Sequence, residues 1–296
     1  MYINHNQMAS NVANTLTSHY SNLATSTQRL SSGLRVNGAA DDAAGLAIRE
    51  LMRSDIAALN QGVRNANDAI SLLQTADGAL GVIDEKLIRM KELAEQAATG
   101  TYDSTQRLMI DSEYQAMASE ITRIANATDF NGIKLLDGTL SSDRHDGSDL
   151  TATGKMKIHF GTMNDSAEDY YYIQIGTCTA SALGVGSTAA NGADADARTV
   201  STQSAAQKAL VGINNAIVSK DKIRAHLGAL QNRLENTITN LTTQSENLQA
   251  AESRISDVDV ATEMTQFVRN QILTQSAVAM LSQANSMPQM AMQLIG

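Results

Sequence analysis

The residues with the most versatile chemistry in this 296-residue chain are five histidines, one cysteine and 13 methionines. None is arranged to use it. His5, His19, His145, His159 and His226 are scattered, and no His-Glu-x-x-His is present to hold zinc. Cys178 stands alone, which excludes an internal disulfide and a multi-cysteine zinc centre. It reads as a small buried hydrophobe rather than a redox thiol. Asp41 and Asp42 form a carboxylate pair, the raw material of acid–base work. They stand just before an apolar-periodic run, where a carboxylate caps free backbone amides, so capping is the reading adopted. Met280, Met287, Met290 and Met292 read as adaptable packing rather than metal ligands. Asn126-Ala-Thr128 and Asn164-Asp-Ser166 match the glycan-acceptor pattern. No catalytic residue, metal site or cofactor site is expected, and the chain reads as not an enzyme.

Charge narrows the class further. The net charge of −9 argues against nonspecific binding to nucleic acid or anionic membrane. No run of about 18 apolar residues is present, so no membrane span is expected. Met1 to Ser18 lacks a basic start and an apolar core, so it does not read as a cleaved secretory signal. There is no Trp, one Pro and only 3% aromatic residues, a make-up suited to long thin helices packed side by side.

The elements follow from spacing. Met1 to Gln28 and Asn270 to Gly296 contain no Asp, Glu, Lys or Arg, yet both carry apolar residues at helical intervals. Leu16, Tyr20, Leu23, Thr27, Leu30 and Leu34 step by four and three, as a coiled-coil seam does. Met264, Phe267, Val268, Ile272, Val278 and Leu281 mark the corresponding face near the other end. Such stripes need a cover: the other end of the chain, another copy, or a membrane. The first helix is expected from about Asn4 to Ser32, stopping at Gly33. A long stripe from Ile48 to Ala97 has a mean spacing near 3.5, the period of a left-handed supercoil. Unbroken, that helix would run roughly 85 Å. Another long stripe runs from Leu210 to Leu248.

Between Gly138 and Gly192 lie eight of the 19 glycines. There Lys155-Met-Lys-Ile-His-Phe160 and Tyr170-Tyr-Tyr-Ile-Gln-Ile175 alternate as a β-hairpin should. The order is a mirror: short helix, joint, long helix, β insert, long helix, joint, short helix. The expected fold is mainly α, a long antiparallel coiled-coil rod formed by the N- and C-terminal halves, with a small β-hairpin insert.

Several long segments carry a resemblance. Gln28-Arg-Leu-Ser-Ser-Gly-Leu-Arg35, Ala39-Ala-Asp-Asp-Ala-Ala-Gly-Leu-Ala-Ile48, Asn65-Ala-Asn-Asp-Ala-Ile70, Thr128-Asp-Phe-Asn-Gly-Ile-Lys134 and Asn247-Leu-Gln-Ala-Ala-Glu-Ser-Arg-Ile-Ser-Asp-Val-Asp-Val-Ala261 closely resemble bacterial flagellin. The similarity spans about the first 140 and last 100 residues. It implies a homopolymer: a structural subunit that self-assembles by its terminal helices into the extracellular helical flagellar filament used for swimming. A hook–filament junction protein is the alternative. The resemblance assigns residues 1–42 with 256–296 to an inner-tube domain and 43–255 to an outer-tube domain. The latter holds helices at about 43–99, 104–128 and 200–250 and a hairpin region at about 138–192, without a large outer domain. Self-assembly residues are then Leu16, Tyr20, Leu23, Leu30, Leu34, Met264, Phe267, Val268, Ile272, Val278 and Leu281. The implied partners are other copies, the flagellar export apparatus and cap, and an export chaperone on the C-terminal region. The implied location is outside the cell, reached without a cleaved signal. The family pattern recognised by the animal Toll-like receptor for flagellin falls on Arg89, Leu93 and Glu113.

Overall fold

The computed structural model describes residues 6–142, 154–165, 168–186 and 198–295. His5, His145, Ser166 and part of the expected hairpin region lie outside them. The fold is mainly α: α1 (Gln7–Ser32), α2 (Ala43–Ala98), α3 (Ser104–Ala127), the four-residue α4 (Ala180–Leu183), α5 (Gln203–Ser256) and α6 (Val260–Ile295). Two small antiparallel sheets accompany them, β1 (Asp129–Phe130) with β2 (Ile133–Lys134), and β3 (Met156–His159) with β4 (Tyr170–Ile173). No helix among the described residues is long and apolar enough to cross a membrane.

Capping chemistry sets the helix limits. Asn6 accepts from the Ala9 amide, and α1 ends where Gly33 turns left-handed at φ 73°. Asp42 accepts from the Gly45 amide at 2.8 Å and so starts α2. Asp41 does something else: its carboxylate takes the amides of Asn37 and Gly38, closing the turn between the helices. A capping box of Asp103 and Gln106 opens α3. Asn131 and Gly132, both at positive φ, make the tight turn between β1 and β2.

The chain divides into two compact units, residues 1–56 with 245–296 and residues 57–244. In the second unit, Leu73, Ala76, Leu80, Ile83, Leu87, Met90, Ala94 and Ala97 of α2 are fully buried against Ile213, Leu227 and Leu234 of α5 and Tyr114, Ile121 and Ala125 of α3. From Leu73 to Ala97 the stripe read from sequence is the core stripe, whereas Ile48 at its start is 46% exposed. α2 and α5 run antiparallel, since Asp84 meets Lys220 while Asp77 meets Arg224. The β3–β4 hairpin turns Met156, Ile158, Tyr171 and Ile173 inward onto the same core. It is anchored on α2 by Asn65, which donates to the His159 carbonyl at 2.8 Å. Beside it, Gly62 gives the Phe160 backbone the room that a Cβ would fill. Cys178 is fully buried, and burial pushes its thiol up to about 11 against the pull of the Lys220 charge.

In the first unit, α1 packs along α6. The α1 positions turned inward are Ala9, Val12, Leu16, His19, Leu23, Ser26 and Leu30, an unbroken three–four repeat. On α6 the matching positions are Glu263, Phe267, Asn270, Thr274, Ala277, Leu281 and Ala284.

Candidate functional site

No cluster of three metal-binding side chains is present among the described residues. His19, His159 and His226 lie on α1, β3 and α5, each without a catalytic neighbour. What the structure offers is surface. Leu16, Leu23, Leu30, Phe267 and Leu281 are half-buried between α1 and α6, as a seam requires. Tyr20 does not join them. It is 52% exposed and Thr27 is also exposed, because the seam takes the neighbouring heptad frame through His19 and Ser26. Both frames share Leu16, Leu23 and Leu30, so apolar spacing alone does not separate them. The small Ser26, 3% exposed, lets the helices approach closely. Leu34 lies beyond α1, in the joint.

α6 has apolar residues on more than one side. Met264, Val268, Ile272 and Val278 are 45%, 44%, 56% and 47% exposed, although Phe267, Ala277 and Ala284 already face α1. Met280 and Met290 are exposed too, and on α1 so is Met8. A groove of about 250 Å³ between the two helices is lined by Met8, Val12, Met280, Ala284 and Met287. A helix that is apolar around much of its circumference is stable only when covered on several sides.

The joints at the inner ends of α1 and α6 are stitched together. Leu34 and Asp257 form a β-bridge, the Val258 amide donates to the Gly33 carbonyl at 3.0 Å, and the Arg35 amide donates to the Ser256 carbonyl at 2.6 Å. The Arg35 guanidinium also donates to the Ile255 carbonyl at 2.6 Å, so it caps the end of α5. Arg49, 9% exposed, holds the Val36 carbonyl at 2.8 Å.

Arg89 and Glu113 meet on the surface of α2 and α3, at 2.8 Å, with Glu92 as a second partner of Arg89 at 2.9 Å. Hydrogen bonding to Glu113, and next to Glu92, raises the Arg89 pKa further. Leu93 is not part of that surface. It is 1% exposed and points into the core beside Met90 and Ala94, because four residues overshoot one helical turn by about 40° and carry position 93 onto the buried stripe.

Sequence reasoning missed Lys220, a fully buried cation in the α5 core stripe. It donates to Asp84 at 2.6 Å and pairs with Asp221 at 2.7 Å. Burial pulls its pKa down, but the hydrogen bonds it donates to Asp221 and Asp84 outweigh this and the net shift is upward. The signal was available: Asp77 and Asp84 stand one heptad apart on α2, opposite Lys220 and Arg224.

Comparison with known proteins agrees with this geometry. The bacterial flagellin N-terminal helical region matches residues 3–141, and the bacterial flagellin C-terminal helical region matches residues 210–295. The chain is 40% identical over 295 residues to flagellin FlaB2 of Treponema pallidum, covering all of both chains. It is 44% identical over 311 aligned positions to flagellin of Bacillus subtilis, again covering both entirely. Among solved structures, a putative flagellar hook-associated protein from Vibrio parahaemolyticus aligns over 73% of this chain and all of its own, with a TM-score of 0.56 at 14% identity. That likeness is one of fold.

Proposed function

We infer how this subunit works from one premise: the chain belongs to the bacterial flagellin family and is a structural subunit of the flagellar filament, not an enzyme. α1 and α6 cover one face of each other through a heptad seam. The apolar face left over, Met264, Val268, Ile272 and Val278, is covered by neighbouring copies in the polymer. The observation that carries this reading is the distribution of apolar residues around α6, which one partner helix cannot bury. Leu16, Leu23, Leu30, Phe267 and Leu281 then serve assembly from the seam, Leu34 from the joint, and Tyr20 and the exposed α6 residues from the outside. On this reading residues 1–42 with 256–296 form an inner tube and residues 43–255 an outer one. Head-to-tail contacts of this kind give an open helical filament rather than a closed ring.

The charge-free ends fit the same reading. Identical helices repeated around a tube would set like charges close together, and an unpaired buried charge costs several kcal/mol. Asn, Gln, Ser and Thr avoid that cost. The subunit is exported unfolded through the flagellum, with a chaperone on its C-terminal region, and is placed outside the cell beneath the filament cap. Any surface read by the animal receptor for flagellin is formed here by Arg89 and Glu113, with Leu93 acting from beneath as packing. A receptor reporter assay on Arg89→Ala and Glu113→Ala checks this; unchanged signalling would discard it. The polymer itself is tested by adding sonicated filament seeds to purified protein and imaging in negative stain. Long fibres support the reading, and persistent monomer contradicts it.

A further inference from the structure

Among the described residues two polar contacts tie α1 and its N-cap to α6, and they lie at opposite ends of the pair. At one end Asn6 Nδ2 donates to the Ala284 carbonyl at 2.8 Å. At the other, Arg29 Nη1 lies 3.7 Å from Glu263 Oε2. Both fit one antiparallel register. Among the described residues, Arg29–Glu263 is the one ion pair joining these helices. It is sheltered: Glu263 is 6% exposed, and Arg29 Nε is buried without a hydrogen-bond partner.

The seam between those contacts specifies its register weakly. Its inward residues repeat every seven positions on both helices, and none between Ala9 and Ser26 or between Asn270 and Ala284 is Asp, Glu, Lys or Arg. Sliding one helix by a heptad, about 10 Å, exchanges one set of mostly small or apolar contacts for a similar set, with His19 the bulky polar exception. The stitched joint that follows α1 and precedes α6 opposes such a slide, and Glu263 adds a second restraint within the helical pair itself. Slid toward the start of α1, its carboxylate would sit beside Asn22 and Leu23, buried and without a cation. A buried charge deprived of its partner is strongly unfavourable, whereas an apolar pair would leave the joint's backbone bonds as the remaining restraint on register. The register also decides where Met8 and Tyr20 of α1 sit relative to Met264, Val268 and Ile272 of α6.

We propose that the Arg29–Glu263 pair is a register lock of the terminal helices, acting with the stitched joint beside it, and thereby a specificity-determining element for filament assembly. This rests on the assembly reading above. The lock acts by penalising wrong registers rather than by adding stability to the right one. Its position at the α6 N-terminus suits that role, since the helix dipole helps the carboxylate tolerate burial.

The test is seeded polymerisation of full-length protein in four forms: unchanged, Glu263→Gln, Arg29→Met with Glu263→Met, and Arg29→Glu with Glu263→Arg. Thr17→Cys and Gln275→Cys, both exposed, carry spin labels for a distance measurement in filaments diluted with unlabelled chain. Glu263→Gln should raise the critical concentration about tenfold. The Met/Met form should keep its helix content yet show a similar rise, with a second distance population displaced by about 10 Å. The charge swap should return to within about threefold of the unchanged protein, with a single distance. A Met/Met form that polymerises normally with one distance overturns the lock, as does a swap that fails to recover. Failure of the unchanged protein to polymerise overturns the assembly reading instead.

Discussion

Replacing Met264, Val268 and Ile272 together by serine removes three of the four residues of the free α6 face without touching the seam. These side chains are 45%, 44% and 56% exposed in the single chain, so about half of each remains to be covered by a neighbour. Full burial of such a side chain contributes about 1.5–3 kcal/mol, so the remaining half is worth about 1 kcal/mol. Three of them give about 3 kcal/mol per copy, which corresponds to roughly a hundredfold rise in critical concentration. Burying three hydroxyls without partners adds to the loss. The assay is the plateau of unpolymerised protein after seeding, measured by pelleting. The matched control replaces the exposed polar residues Gln266, Gln271 and Gln275 by serine, which makes the same number of changes on the same helix. It should shift the plateau by less than about threefold, since surface changes are usually small. Equal behaviour of the two triple variants would refute the idea that the apolar face drives assembly.

Other outcomes follow from the second unit. Cys178, buried and with its pKa pushed up to about 11, should resist a thiol reagent at pH 8 and react at once in denaturant; fast labelling of native protein would contradict its placement. Gly62→Ala should destabilise by about 1–3 kcal/mol despite the better helix propensity of alanine, because its methyl meets the Phe160 carbonyl; a raised urea midpoint would contradict the contact. Asp84→Ala should cost about 2 kcal/mol by leaving the buried Lys220 with the exposed Asp221 as its remaining partner, whereas Lys220→Met should stay within about 1 kcal/mol; the reverse order in urea melts would exclude the asymmetry. The Asp77 pKa is lowered by hydrogen bonding to Arg224, so this pair contributes above the ordinary aspartate pKa and is lost as pH falls through the lowered value. Both side chains are substantially exposed, and Arg224→Gln should flatten acid sensitivity by less than about 1 kcal/mol.

Much of the fold was legible because long helices write their packing as a period. The α2 residues from Leu73 to Ala97 alternate by three and four, and the structure buries them in that order. Gly33 was readable as the end of α1 because the left-handed turn that closes a helix favours glycine. The functional surface was harder to read. Apolar spacing on α1 fits two heptad frames that share Leu16, Leu23 and Leu30, and only three-dimensional packing distinguishes Tyr20 from His19. Leu93 looked like a neighbour of Arg89 because four residues make one turn, but the buried stripe of α2 includes it. Lys220 was overlooked because a cation in a core stripe breaks the hydrophobic rule, and its partner Asp84 is 136 positions away.

The central claim is that the terminal helices, through faces left free after they pair, hold the polymer together. The most direct measurement is seeded growth of a chain shortened to residues 33–259, with its circular-dichroism melt recorded alongside. The account predicts a cooperative melt from the α2–α3–α5 unit and no fibre at any attainable concentration. Fibres of normal length from that shortened chain would contradict it.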